Sequence, residues 1–265
     1  MAPRALLALI LPACAAACGG EDRPDPAPPV AGACGGALGA AAQPILRGAI
    51  DEGDPAVVAV NTLDVDCQRA GAPACTGTLV SPDVVLTAAH CVGELPPEAF
   101  AVLLGSTADP GRGELGAGLE GALFRVAAAR VHPGFDAATL ANDVALLRLD
   151  GEAEVAPARR PAAALGEALS GATARVVGFG LADEHPAFAK RDGEVLLSGV
   201  AALEVVYRGA PAMTCAGDSG GPVFATIAGE ELLVAVTSRG DAACEDHGVG
   251  VRVDALPPSF FEAPW

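Results

Sequence analysis

Three separated segments of this chain hold side chains suited to acyl transfer. Thr214-Cys-Ala-Gly-Asp-Ser-Gly-Gly-Pro-Val223 sets Ser219 among glycines, Thr87-Ala-Ala-His-Cys91 carries His90, and Asn142-Asp-Val-Ala-Leu-Leu-Arg-Leu149 carries Asp143. A serine hydroxyl becomes a useful nucleophile when an imidazole removes its proton as it attacks. A carboxylate on the far side of the ring fixes the tautomer and stabilises the imidazolium that forms. Glycines beside the serine permit the unusual backbone that exposes the hydroxyl and aims amide N–H groups at a developing oxyanion.

These residues need rigid elements to carry them. Apolar residues around two strands flank the Ser81-Pro-Asp83 turn, and the second strand runs into His90; Asp143 stands at the start of another apolar run. The chain has 265 residues, 51% of them hydrophobic and 18% charged, with 33 Gly and 22 Pro. That composition excludes general disorder and favours many short strands and turns over long helices. Length allows one large domain or two small ones. The net charge of −17 excludes a nucleic-acid partner, which would need a basic face.

Together the three segments resemble the histidine, aspartate and serine boxes of the chymotrypsin/trypsin-like serine proteases. Their order matches that family and excludes the orders of α/β-hydrolases and subtilisin. Val176-Val-Gly-Phe-Gly180, Val234-Ala-Val-Thr-Ser-Arg-Gly240 and Gly248-Val-Gly-Val-Arg-Val253 extend the similarity over nearly all of Ile45 to Asp254. The resemblance implies an all-β fold: two packed six-stranded antiparallel Greek-key barrels, residues 45–150 and 151–265, with a catalytic cleft between them. By the same resemblance His90 is the general base, Asp143 its orienting carboxylate and Ser219 the nucleophile, while the N–H groups of Gly217 and Ser219 form the oxyanion hole. Ser238 supports Asp143, and Gly240 pairs with the substrate backbone. Cys75 pairs with Cys91, and Cys215 with Cys244. The implied activity is serine endopeptidase action on protein or peptide substrates, with no metal or organic cofactor. The alternative is a silent or zymogen-locked homologue acting as a surface binding protein.

Departures from the family pattern shape the finer expectations. Counting back from Ser219, the floor of the substrate pocket falls on Met213, where an acid would select Arg or Lys. With Gly240 and Gly248 as open walls, the expected preference is an apolar residue before the scissile bond, such as Leu, Met or Phe. Arg239 stands where the family usually carries tryptophan and reads as a solvated cation. Pro257 and Pro258 shorten the usual C-terminal helix. His132, in Val131-His-Pro-Gly-Phe135, is read as structural. Ile45-Leu-Arg-Gly48 sits where relatives have the N-terminus released by zymogen cleavage, making Ile45 and Asp218 the expected activation pair. Pro44 makes that junction a poor site for a trypsin-like activator.

The first 17 residues have the three parts of a secretory signal: Arg4, an apolar run from Ala5 to Leu11, and a small-residue exit. Cys14 and Cys18 follow the apolar run, as in bacterial lipoprotein processing sites. The expected destination is therefore secretion, or a lipid tether on the cell envelope. Residues 18–44 are rich in Pro, Gly and Ala and read as a spacer or pro-segment. Past the signal come Cys34, Cys67, Cys75, Cys91, Cys215 and Cys244. An even count in an exported chain points to disulfides, and no pair has the close spacing of a structural zinc site. Cys34 and Cys67 are candidates for a third bridge.

Overall fold

The run Val57-Val-Ala-Val60 shows how this fold buries its strands. Val58 and Val60 pack in one apolar cluster with Leu79, Val85, Phe100, Val102 and Leu147, while Val57 and Ala59 join another with Leu86, Leu103, Leu146, Phe179, Leu233 and Val236. Successive residues of a strand face opposite sides, so a strand covered on both faces reads as unbroken apolar sequence. The same alternation separates Val85 from Leu86 and Leu146 from Leu147.

The structure, a computed structural model, describes residues 45–64, 69–108, 120–180 and 189–265. The signal, the spacer, Cys14, Cys18, Cys34 and Cys67 lie outside the described residues. Thirteen strands follow in order: β1 (Ala49–Ile50), β2 (Val57–Asp64), β3 (Arg69–Ser81), β4 (Val84–Thr87), β5 (Phe100–Thr107), β6 (Glu120–Val131), β7 (Ala145–Leu149), β8 (Thr173–Gly178), β9 (Arg191–Val200), β10 (Glu204–Gly209), β11 (Pro222–Ile227), β12 (Glu230–Gly240) and β13 (Gly248–Arg252). Two short helices, α1 (Ala89–Val92) and α2 (Pro258–Glu262), complete the described regular elements beside brief single-turn segments.

Strands β2 to β7 close into one barrel in the order β2-β3-β4-β7-β6-β5, and β8 to β13 close into a second in the order β8-β9-β10-β13-β12-β11. Both are antiparallel throughout, and both carry the same Greek-key order. This is the two-barrel architecture expected from the sequence. The first cluster fills one barrel. A third, with Val176, Val195, Leu197, Val205, Tyr207 and Val234, fills the other. The cluster shared by Val57, Leu146, Phe179 and Leu233 draws on both barrels and joins them. No helix of the described residues is long and apolar enough to cross a membrane.

Polar ties reinforce the join. Arg175 on β8 grips Asp54 just before β2, with Nη2 3.0 Å from Oδ1, and also reaches Glu231 at 3.1 Å. Burial pushes the Asp54 carboxyl up, but the Arg175 guanidinium outweighs burial and holds it below the ordinary carboxylate range. Stability from this pair is thus present above the usual carboxylate pKa and lost as pH falls through the lowered one. Arg175→Ala leaves Asp54 partly buried without its partner. The expected cost is about 2 kcal/mol at neutral pH, shrinking in acid, checked by denaturant unfolding at both.

The C-terminal tail is fastened to the first barrel. Arg130 on β6 donates to the carbonyls of Phe260, Ala263 and Pro264 at 3.1, 2.8 and 2.8 Å, and lies 4.3 Å from the centre of the Trp265 ring. The cation thus serves the carbonyls at the end of α2 while stacking on an aromatic face. The helix itself has five residues and begins at Pro258, in line with the shortening read from the two prolines.

Candidate active site

Register brings the first two candidate residues together. On neighbouring strands β4 and β7, Thr87 pairs with Ala145. In an antiparallel pair, moving forward on one strand runs backward on the other. Three residues beyond Thr87 therefore approaches two residues before Ala145, and these positions are His90 and Asp143. The turn α1 then lets the His90 ring face the carboxylate: Nδ1 lies 2.7 Å from Oδ2, and the His90 amide donates to Oδ1 at 2.8 Å. The Cys75–Cys91 disulfide anchors this turn to β3. On the other side, Asn142 takes a positive φ of 54° and donates its side-chain amide to the Gly134 carbonyl at 2.8 Å, fixing the approach to Asp143.

Asp143 is fully buried, and Ser238 Oγ donates to its Oδ2 at 2.6 Å. Burial alone would raise its pKa, yet the hydrogen bonds from His90 and Ser238 overcome this and hold it below the ordinary range. An ionised acceptor is thus fixed against Nδ1, which leaves Nε2 as the ring nitrogen facing away from the carboxylate.

Ser219 sits in a turn clamped from several directions. The N–H of Thr76 donates to the Ser219 carbonyl at 2.8 Å, while the Gly220 N–H donates to the Thr237 carbonyl and the Thr237 N–H to the Gly221 carbonyl, both at 2.8 Å, tying the turn to β12. The buried Thr76 hydroxyl donates to the Gly217 carbonyl at 3.0 Å while accepting the Phe179 N–H at 3.0 Å. Gly217 needs its φ of 91°, which side chains rarely tolerate. Among the described residues the amides of Gly217 and Ser219 take no backbone carbonyl partner. His90, Gly217 and Ser219 line one cleft of about 420 Å³ with Ala74, Phe135 and Leu140.

Residues 50–258 match the sequence profile of the trypsin family. This chain belongs to that family of serine proteases. It is 30% identical to the vitellin-degrading protease of Bombyx mori over 77% of this chain and 81% of that protein. It is 30% identical to trypsin alpha of Drosophila erecta, over 56% of this chain and 55% of the relative. With serine protease 57 of Rattus norvegicus the identity is 31%, over 56% and 59%. The chain thus spans little more than half the length of the latter two relatives.

Both disulfides implied by that kinship are present, Cys75–Cys91 and Cys215–Cys244. The donor atoms of Cys75, His90 and Cys91 lie within 4.8 Å of one another, but the two sulfurs are bonded to each other and offer no thiolate to a metal.

Asp218, the expected partner of Ile45, is fully buried and accepts three backbone N–H groups. Ile45 N and Cys215 N approach Oδ2 at 3.0 and 2.9 Å, and Gly180 N approaches Oδ1 at 3.0 Å. Even so, burial pushes its pKa up to about 6. Met213 is buried beside Ile45 and Tyr207, its backbone paired with Leu46. Gly240 is exposed at the end of β12 and pairs with the buried Gly248.

Arg239 differs from the expected solvated cation: both its terminal nitrogens meet the Glu204 carboxylate at 2.9 Å. His132 packs on Phe260 with ring centres 5.2 Å apart and accepts the Gly134 N–H, a structural placement. Thr76 and Tyr207 carry no motif signal in the sequence, and only the folded arrangement reveals what they hold.

Proposed function

We propose that this trypsin-family chain is a serine endopeptidase in which Ser219 attacks the peptide carbonyl, His90 takes its proton and Asp143 holds the ring. The observation that carries this reading is the His90 Nδ1–Asp143 Oδ2 contact of 2.7 Å in the same cleft as Ser219. Attack forms a tetrahedral oxyanion, which the N–H groups of Gly217 and Ser219 stabilise. Collapse expels the amine, protonated by His90, and leaves an acyl-Ser219 ester that water hydrolyses by the same proton path in reverse. The substrates are proteins or peptides, with an apolar residue before the scissile bond. The two disulfides support an exported protein.

Labelling with a fluorophosphonate tests the nucleophile. The chain with a free Ile45 amine should react, and Ser219→Ala should abolish the label. A chain that stays unlabelled in that state would instead be a silent binding protein. Ser238→Ala removes a hydrogen bond to a charged, buried acceptor. It is expected to lower kcat about ten- to hundredfold with little change in KM, read from steady-state peptide hydrolysis.

A further inference from the structure

Tyr207 is the largest side chain in the second barrel that the chemistry above does not use, and it is fully buried. It stands opposite Gly248 on paired strands β10 and β13. A side-chain carbon added at Gly248 would lie 2.2 Å from Tyr207 Cε2 and 2.6 Å from its hydroxyl oxygen. The phenol ring therefore occupies the space that a glycine at 248 would leave vacant. Its hydroxyl is hydrogen-bonded to Thr214 Oγ1 at 2.8 Å and to Thr237 Oγ1 at 3.3 Å. Thr214 precedes Cys215 in the serine segment, and Thr237 precedes the Ser238 that holds Asp143. The ring is thus pinned to the two segments that carry Ser219 and Ser238.

The surrounding residues are closed as well. Met213, Thr214, Thr237, Ser238 and Gly248 are all buried, whereas Ala216 and Gly240 at the rim are exposed. Nearby acids are engaged elsewhere. The Asp241 carboxylate accepts the N–H groups of Glu245, Asp246 and His247 at 3.2, 2.9 and 3.0 Å, and Asp246 pairs with Arg208. Ala216 and Gly240 are open to solvent, but the space against Gly248 is filled by an uncharged ring.

Resting on the peptidase reading, we propose that Tyr207 is a specificity residue that plugs this space and limits the residue before the scissile bond to a small side chain such as Ala. The apolar preference is kept, but Leu, Met and Phe are excluded by size. Discrimination at such a site is steep, because each methylene that fits or clashes changes kcat/KM by about 10- to 200-fold.

The test uses the chain with a free Ile45 amine and peptides identical except for Ala, Leu, Phe or Lys before the cleaved bond. The wild type should favour Ala over Leu and Phe by at least about tenfold. Tyr207→Ala should reverse that order, and Tyr207→Phe, which keeps the ring, should retain it. A general structural role would lower all rates together and leave the order unchanged. Wild type that cleaves after Phe or Lys as fast as after Ala overturns the proposal, whether or not Tyr207→Ala folds. Fluorophosphonate titration of each sample separates the two readings: no Ser219-dependent label refutes the peptidase, whereas full label with the wrong selectivity refutes only the plug.

Discussion

Ser219→Ala and His90→Ala should each lower kcat by about 10⁶-fold, and the double variant should be no worse than either alone. The non-additivity is the sharper half of the expectation. A serine without its base and a base without its serine are equally idle, so the second deletion removes nothing that still works. Asp143→Asn should cost about 10⁴-fold, because an amide at Oδ2 no longer selects the tautomer whose Nε2 accepts the serine proton. That residue also receives Ser238 Oγ at 2.6 Å and the His90 amide at 2.8 Å. Its replacement therefore disturbs ring placement as well as tautomer. Residual hydrolysis in these variants would come from the backbone N–H groups of residues 217 and 219, which the side-chain replacements leave in place. The measurement is single-turnover hydrolysis of an activated ester and of a peptide. Variants that multiply their losses would show that the three side chains do not act as a unit.

How far the sequence was legible depends on the range of each interaction. The boxes around His90, Asp143 and Ser219 are local strings, and each carries its own conformational requirement, as with the positive φ at Gly217. The strands were legible as composition and alternation, because a strand buried on both faces, such as Val57–Val60, must be apolar at every position. What stayed hidden depends on register between distant strands. Arg239 reads as a free cation until Glu204, 35 residues away in sequence, is laid beside it. Gly248 reads as an open wall until pairing with β10 sets Tyr207 opposite it. Asp218 reads only as the partner of Ile45 until folding brings the N–H groups of Cys215 and Gly180 to the same carboxylate. No single segment encodes such pairings, since a one-residue slip would send each side chain to the other face.

Release of Ile45 as an amino terminus should raise both activity and thermal stability, and the reason lies in two details of its seat. First, Ile45 has a φ of 25°, a value that a β-branched residue adopts only under strain when a carbonyl precedes it. Cleavage after Pro44 removes that carbonyl and with it the strain. Second, the Ile45 nitrogen already lies 3.0 Å from Asp218 Oδ2, with Gly48 and Gly193 leaving room for its side chain. As an amide this nitrogen gives one hydrogen bond; as an ammonium it also supplies the charge that the buried carboxylate lacks.

The pH dependence follows from the pKa of about 6 at Asp218 in the uncut chain. The folded state there holds the proton more tightly than the unfolded state. Its contribution to stability is full below the ordinary carboxylate range and lost as pH rises through about 6. An ammonium reverses that trend, so the gain from cleavage should be small near pH 5 and large at pH 7.5. Pairing one otherwise unmatched buried charge is worth about 3 kcal/mol, which for a protein of this size moves Tm by about 6–12 °C. Calorimetry of Ser219→Ala protein, before and after cutting at an engineered site that leaves Ile45 first, reads the shift without self-digestion. Asp218→Asn should abolish it. Equal melting temperatures at pH 7.5, together with equal peptidase rates in the Ser219 parent before and after the cut, would show that the uncut chain already has its oxyanion donors in place.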